Sequence, residues 1–263
     1  MMGAPEPLRG PPPLPGADQP MVWRLWHFAV AFLGGLLTAN VAFGLLATTT
    51  ADGLIDLDSV TANQLFGIVI PAQHAGTLAV VAMIVVAKRE SFASALGFDL
   101  DIRHIWWVGV GAGVAIVVSL LMIPLASWLD VQDNPQRVVE QFGDVASGLP
   151  LLAAVLSLVV LTPITEEILY RGVLQRAVGR WLAAVPMVAV TSIVWGLAHL
   201  LDPADADTVW WSQALITFVP ITIFGVIAAT ATVLAKGRLG RAVFLHGGWN
   251  LLGVIALIGA QMA

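Results

Sequence analysis

Seven apolar stretches of about 20 residues constrain this chain more than any other feature. They lie at 26–48, 65–87, 105–129, 150–170, 183–200, 210–235 and 242–261. A helix of about 20 residues crosses about 30 Å of hydrocarbon, and lipid offers no hydrogen-bond partners to the backbone, so each stretch must be helical. The sequence therefore predicts an all-α, polytopic transmembrane helix bundle with seven to eight membrane spans.

The scarcity of charged residues also indicates a membrane protein. Only 11% of the 263 residues are charged and 58% are hydrophobic, whereas soluble domains carry about 25% charged residues. The formal net charge of −5 provides no basic surface for phosphates, so no nucleic-acid partner is expected. Because the chain has no cysteine, disulfides, thiolate metal sites and a cysteine nucleophile are excluded.

The chain divides into three parts by composition. Residues 1–22 contain seven prolines and little apolar surface, which predicts a disordered Pro-rich tail. Residues 23–149 hold the first three spans, and residues 150–263 hold the remaining spans together with every polar motif described below. The second set of spans therefore carries the candidate functional residues.

The distribution of basic residues predicts the orientation of the bundle. Lys and Arg concentrate before the first span, between the second and third, after the fourth and before the seventh, and Arg137 is the exception. Short cytoplasmic loops retain such residues, so we expect a cytoplasmic amino terminus and an external carboxyl terminus. The Ala-, Val- and Gly-rich composition is typical of a high-GC prokaryote. It favours the plasma (cell) membrane, with membrane lipid as a partner of this multi-pass chain.

Two adjacent carboxylates, Glu166 and Glu167, interrupt the fourth span. Ionisable residues inside a span indicate a functional site by default. Glu167 precedes Arg171 by four residues, which suits an ion pair, while Glu166 lies about 100° further around the helix. Glu166 is then left free to act on water as a general base. In the alternative, both acids lie at the cytoplasmic interface and pair with Arg171 and Arg176.

Three further polar residues interrupt later spans. His199 ends the fifth, and His246 and Asn250 lie four residues apart on one face of the seventh. An imidazole can orient water or bind a metal, and an amide can donate to an oxyanion. Taken singly, each is equally explained as an interhelical hydrogen bond, which is also the interpretation for His74 in the second span.

Together these residues form three motifs in a fixed order, and the chain resembles the CPBP family of intramembrane proteases, which includes the type II CAAX prenyl endopeptidases. The resemblance covers residues 150–255. The family pattern Glu-Glu-xxx-Arg, Phe-xxx-His and His-xxx-Asn is matched in turn by Glu166, Glu167 and Arg171, by Trp195 and His199, and by His246 and Asn250. Trp195 replaces the usual Phe, and because an aromatic ring is retained, we expect it to alter packing and leave the chemistry unchanged.

The resemblance implies a glutamic-type endopeptidase that hydrolyses peptide bonds of membrane-associated proteins or peptides. In this scheme Glu166 activates water, His199 assists, His246 and Asn250 stabilise the oxyanion, and Glu167 and Arg171 support the site. No cofactor is favoured. The alternative is a zinc ion held by Glu166, His199 and His246 with an open position for water.

Two functions without proteolysis stay open. The bundle could be a transporter or proton relay in which the same carboxylate and histidines carry protons. It could also be a catalytically idle scaffold of the same family. The chain shows no clear inverted repeat, and seven spans do not divide into equal halves, which argues against transport.

Two geometric expectations can be compared directly with a structure. Helices that end at the predicted span limits would place His199 about 24 Å and His246 about 6 Å from the cytoplasmic edge. A common site therefore requires the fourth, fifth and seventh helices to extend a turn or two beyond that edge. Gly109 and Gly113, four residues apart in the third span, are predicted to face a neighbouring helix.

Overall fold

A computed structural model shows that the chain is helical. It describes residues 22–50, 53, 56, 59–129, 141–145, 147–201 and 210–262. No β-strand occurs in these ranges, which confirms the predicted all-α class. The predicted disordered tail, residues 1–22, lies outside the described residues except for Val22.

Eight helices of the described chain are numbered here along the sequence. They are α1 (Leu25–Leu46), α2 (Ala62–Ala87), α3 (Phe92–Leu96), α4 (Trp107–Trp128), α5 (Leu149–Val178), α6 (Ala184–Ala198), α7 (Trp210–Leu234) and α8 (Gly240–Met262). Short 3-10 turns precede α4 at Ile102–His104 and follow α6 at His199–Leu201.

Six of these helices, α1, α2, α4, α5, α7 and α8, are long and apolar enough to cross a membrane. The remaining predicted span, α6, has 15 residues, which is about 22 Å at 1.5 Å per residue and less than a full crossing. The chain is therefore a multi-pass membrane protein, and α6 is shorter than its six candidate spans.

Helix α5 lies at the centre of the bundle. It contacts α1, α2, α6 and α8. Two of its segments, Ser157–Leu161 and Glu167–Leu174, are π-helical, and all eight residues of the second are buried. Such widened turns are frequent at functional sites because they shift side chains and carbonyls out of α-helical register.

Helix α5 ends eight residues later than predicted. The predicted end was residue 170, whereas the helix continues to Val178. Two side chains of this extension donate to carbonyls of α7: Arg171 Nη2 to that of Gly225 at 3.3 Å and Gln175 Nε2 to that of Ala229 at 3.3 Å. Because these groups bind protein, α5 does not have to end where the apolar stretch ends.

The extension of α5 brings Glu166 to the depth of His246. The expectation that the fifth span (α6) extends a turn or two beyond its predicted limit is wrong, because α6 begins at Ala184. Arg176 Nη2 donates to the Gly237 carbonyl at 2.7 Å, so the α7–α8 connection lies level with the end of α5. Glu166 is ten residues before Arg176, about 15 Å, and His246 is nine residues after Gly237, about 14 Å. The two side chains therefore reach the same depth.

Helices α4 and α8 come into backbone contact at two glycines. A Cβ atom at Gly111 or at Gly248 would overlap a carbonyl oxygen of the facing helix. Gly109 and Gly113 face open space, so the prediction that they face a neighbouring helix is wrong. The close contact is made by Gly111, which lies midway between them in the sequence. The contact at Gly111 holds α8, which carries His246, against the bundle.

Candidate active site

The accessible carboxylate of the site is Glu166. Its Oε2 accepts a hydrogen bond from Trp195 Nε1 at 2.8 Å. His246 Nε2 lies 4.0 Å from the same oxygen, which is too long for a hydrogen bond. The side chain of Glu166 is 20% exposed, so a water or substrate can reach it. The expectation that Glu166 is free is wrong in one respect, since the indole binds it.

Glu167 is the buried carboxylate of the pair, with 0% exposure. Its Oε1 lies 3.1 Å from Arg171 Nη1, which is the ion pair that the four-residue spacing predicts. The same oxygen lies 3.0 Å from His246 Nδ1. Glu167 therefore connects the first motif on α5 to the third motif on α8.

The hydrogen bond to Glu167 determines the orientation of His246. A carboxylate only accepts, so Nδ1 carries the proton and donates it to Glu167. The other ring nitrogen, Nε2, faces Glu166. In the neutral ring Nε2 is an acceptor, and in the imidazolium it is a donor.

Trp195 lies between the two histidines of the site. Its ring is 5.0 Å from that of His199 and 5.5 Å from that of His246, both edge to face. His199 Nδ1 donates to the Trp195 carbonyl at 2.9 Å, which leaves its Nε2 for other partners. The expectation that Trp195 affects only packing is wrong, because its indole nitrogen binds Glu166.

Asn250 makes an interhelical hydrogen bond. Its Nδ2 donates to the Leu158 carbonyl at 2.7 Å, in the first π-helical segment of α5. This bond uses one of the two amide hydrogens and ties α8 to α5 one turn after His246. This contact is the interhelical hydrogen bond that the sequence offers as the alternative role of Asn250.

His74 belongs to the site's surroundings, although no motif contains it. Its Nε2 lies 2.9 Å from Thr162 Oγ1, one turn before Glu166 on α5. The predicted interhelical hydrogen bond is thus present, and its partner lies one turn before the first motif. A lone histidine in a distant span carries no sequence signal that could reveal this proximity.

The arrangement of ligand-type side chains bears on the zinc alternative. Within the described ranges, no group of three His, Asp or Glu side chains is close enough together to hold a metal ion. Glu166, His199 and His246 therefore do not form a ligand set in this geometry. One polar atom of each has a protein partner, which is the indole for Glu166, a backbone carbonyl for His199 and Glu167 for His246.

Comparison with known proteins agrees with the geometry. Residues 148–252 match the model of a family described as type II CAAX prenyl endopeptidase Rce1-like. No curated protein and no solved structure matches the chain. The matched segment runs from the start of α5 into α8 and contains all three motifs. The predicted relationship to the type II CAAX prenyl endopeptidase family is thereby confirmed for residues 148–252.

Proposed function

We propose that the chain is an intramembrane endopeptidase in which Glu166 is the general base. One observation carries the proposal: the accessible Glu166 carboxylate faces His246 Nε2 across 4.0 Å, while buried Glu167 holds the opposite side of the imidazole. Polar atoms at this separation suit a single bridging water. A water in that position is within hydrogen-bond reach of the base.

The reaction follows from these positions. Glu166 takes a proton from the water, and the resulting hydroxide oxygen attacks the carbonyl carbon of the peptide bond. The carbonyl oxygen becomes an oxyanion, which His246 in its imidazolium form and the second amide hydrogen of Asn250 stabilise. The carbon–nitrogen bond then breaks, and the proton held by Glu166 passes to the leaving nitrogen. His199 assists by orienting the water or the leaving group through Nε2.

Glu167 and Arg171 act as supports in this proposal. Both are almost completely buried, and Glu167 contacts Arg171 and His246 through one oxygen. Glu167 holds the His246 ring by Nδ1, so that Nε2 faces Glu166. These two residues therefore position His246 and do not touch the substrate.

We propose a mechanism without a metal ion, because no three His, Asp or Glu side chains of the described residues lie close enough together to hold one. We also propose that the amino terminus is cytoplasmic and the carboxyl terminus external. Arg176 and the basic α7–α8 connection meet at one end of the bundle, in line with a cytoplasmic face there. The proposed substrates are peptides or proteins associated with the membrane that the chain spans.

The test is cleavage by the purified full chain in liposomes. The substrates are quenched membrane-anchored peptides, with and without a prenylated terminus. Glu166→Gln should lower turnover by about 10²- to 10⁴-fold, the usual contribution of a general base. Glu90→Gln is the matched control, because Glu90 lies in the α2–α3 connection and accepts from Ser94. It should retain full turnover.

Other outcomes separate the competing functions. Wild-type turnover in Glu166→Gln would overturn the assignment of the base. Loss of activity with a chelator and recovery with zinc would establish the metal-dependent alternative. Absence of cleavage together with proton flux that Glu166→Gln abolishes would identify a proton relay, and absence of both would indicate a scaffold.

A further inference from the structure

The indole of Trp195 is a neutral donor directed at a carboxylate. Its Nε1 lies 2.8 Å from Glu166 Oε2, and the residue is only 2% exposed. Hydrogen bonds to ionised groups are stronger than neutral ones, and shielding from solvent strengthens them further. The oxygen that the indole binds, Oε2, is also the oxygen that faces His246 Nε2 at 4.0 Å.

The surrounding helices hold the Trp195 ring in place. Helix α7 passes so close that a Cβ atom at Gly225 would lie 2.9 Å from Trp195 Cε3. The Arg171 guanidinium lies over the ring at 4.6 Å, and the Phe224 ring packs against it at 5.5 Å. The donor is therefore fixed before any substrate binds, and Glu166 pays little ordering entropy to adopt the bound orientation.

A phenylalanine at this position would keep the ring contacts but not the hydrogen bond. The edge-to-face contacts with His199 and His246 require only an aromatic ring at position 195. The hydrogen bond to Glu166 requires an N–H group, which phenylalanine lacks. Trp195, in place of the family's usual Phe, thus makes a polar contact that a phenylalanine could not make.

We infer that Trp195 is a positioning residue that orients the Glu166 carboxylate toward His246. The inference rests on the proposed function. It assigns the indole no contact with substrate, so its removal should slow the chemical step and leave substrate binding unchanged.

The kinetic test compares two Trp→Phe variants of the full chain. Trp195→Phe should lower kcat about tenfold, as expected for the loss of a hydrogen bond to a charged group, with KM unchanged. Trp249→Phe is the matched control, because Trp249 lies in the same aromatic cluster and stacks on Phe224 at 4.6 Å. It should retain wild-type kcat. An unchanged kcat in Trp195→Phe, or equal losses in both variants, would overturn the inference.

A spectroscopic measurement tests the hydrogen bond without relying on turnover. The indole ¹H–¹⁵N resonance that disappears in Trp195→Phe belongs to Trp195. In Glu166→Gln this resonance should shift upfield, because an amide oxygen is a weaker acceptor than a carboxylate. Glu90→Gln should leave it in place.

The two measurements separate failure of this inference from failure of the proposed function. An indole resonance that does not respond to Glu166→Gln overturns the positioning role while hydrolysis by Glu166 stands. Full turnover in Glu166→Gln overturns the proposed function even if the resonance shifts.

Discussion

The helices that face lipid and the helices that carry the motifs differ in the interactions that stabilise them. Helices α1 and α4 present large apolar side chains outward, such as Leu37 and Leu121, each 65% exposed. In α5 the segment Glu167–Leu174 is completely buried and contains a carboxylate and a guanidinium. The first kind of helix needs only apolar composition and length, whereas the second depends on specific partners in neighbouring helices.

This contrast explains how charge is tolerated at the centre of the bundle. Glu167 and Arg171 are stabilised by each other, by His246 and by the Gly225 carbonyl. Because three helices contribute these partners, the site forms only when α5, α7 and α8 are assembled. We therefore expect the candidate site to form together with the packed core.

The largest effect is expected from breaking the buried pair. Arg171→Met leaves Glu167 charged and buried without its cation, and removal of one partner of a buried ion pair costs about 3–5 kcal/mol. Thermal unfolding of the purified protein in detergent measures the loss. The double variant Glu167→Gln/Arg171→Met should recover most of the stability, since no unpaired charge remains, but not the activity. Equal stability of the single and double variants would show that the pair is not coupled.

A smaller loss is expected at the contact between α4 and α8. Gly111→Ala places a Cβ atom against the backbone of α8, and forced overpacking costs about 1–3 kcal/mol. Gly109→Ala is the matched control on the same helix, because its Cβ atom would meet open space. The midpoint of thermal unfolding should fall only in Gly111→Ala. A similar fall in both variants would mean that α4 is rotated about its own axis, so that Gly109 also faces a neighbouring helix.

The two groups of helices also differ in how much of them the sequence predicts. Hydropathy predicts the lipid-facing helices because length and apolar composition alone produce them. The spacing of Glu167 and Arg171 likewise predicts their ion pair. The end of α5 is missed because Arg171 and Gln175 are satisfied by α7 carbonyls, which no local pattern encodes. The contact of Trp195 with Glu166 is missed for the same reason: the two residues lie on different helices.

His74 is the point where a helix outside the motifs reaches the site, and its effect on catalysis should be modest. His74→Ala removes the hydrogen bond to Thr162 that ties α2 to α5. Such interhelical bonds contribute about 0.6 kcal/mol to stability on average, and kcat falls about two- to threefold if the whole of that energy acts on the reaction barrier. Thr162→Val should reproduce the loss and Thr162→Ser, which keeps the hydroxyl, should not. A loss comparable to that of Glu166→Gln would instead make His74 part of the chemistry.

The smallest effect is expected from an exposed pair outside the motif-bearing helices. Arg103 Nε donates to Asp101 Oδ2 at 2.7 Å, and this contact lowers the pKa of Asp101 from 3.8 to about 2. A carboxyl with a lowered pKa in the folded state adds stability above pH 3.8, and that stability is lost as the pH falls toward 2. Arg103 is 85% exposed, so solvent and salt screen the pair. Asp101→Asn should therefore barely change the unfolding midpoint at neutral pH. Added salt should remove any residual difference, whereas it should leave the large effect of Arg171→Met intact, because the Glu167–Arg171 pair is shielded from solvent.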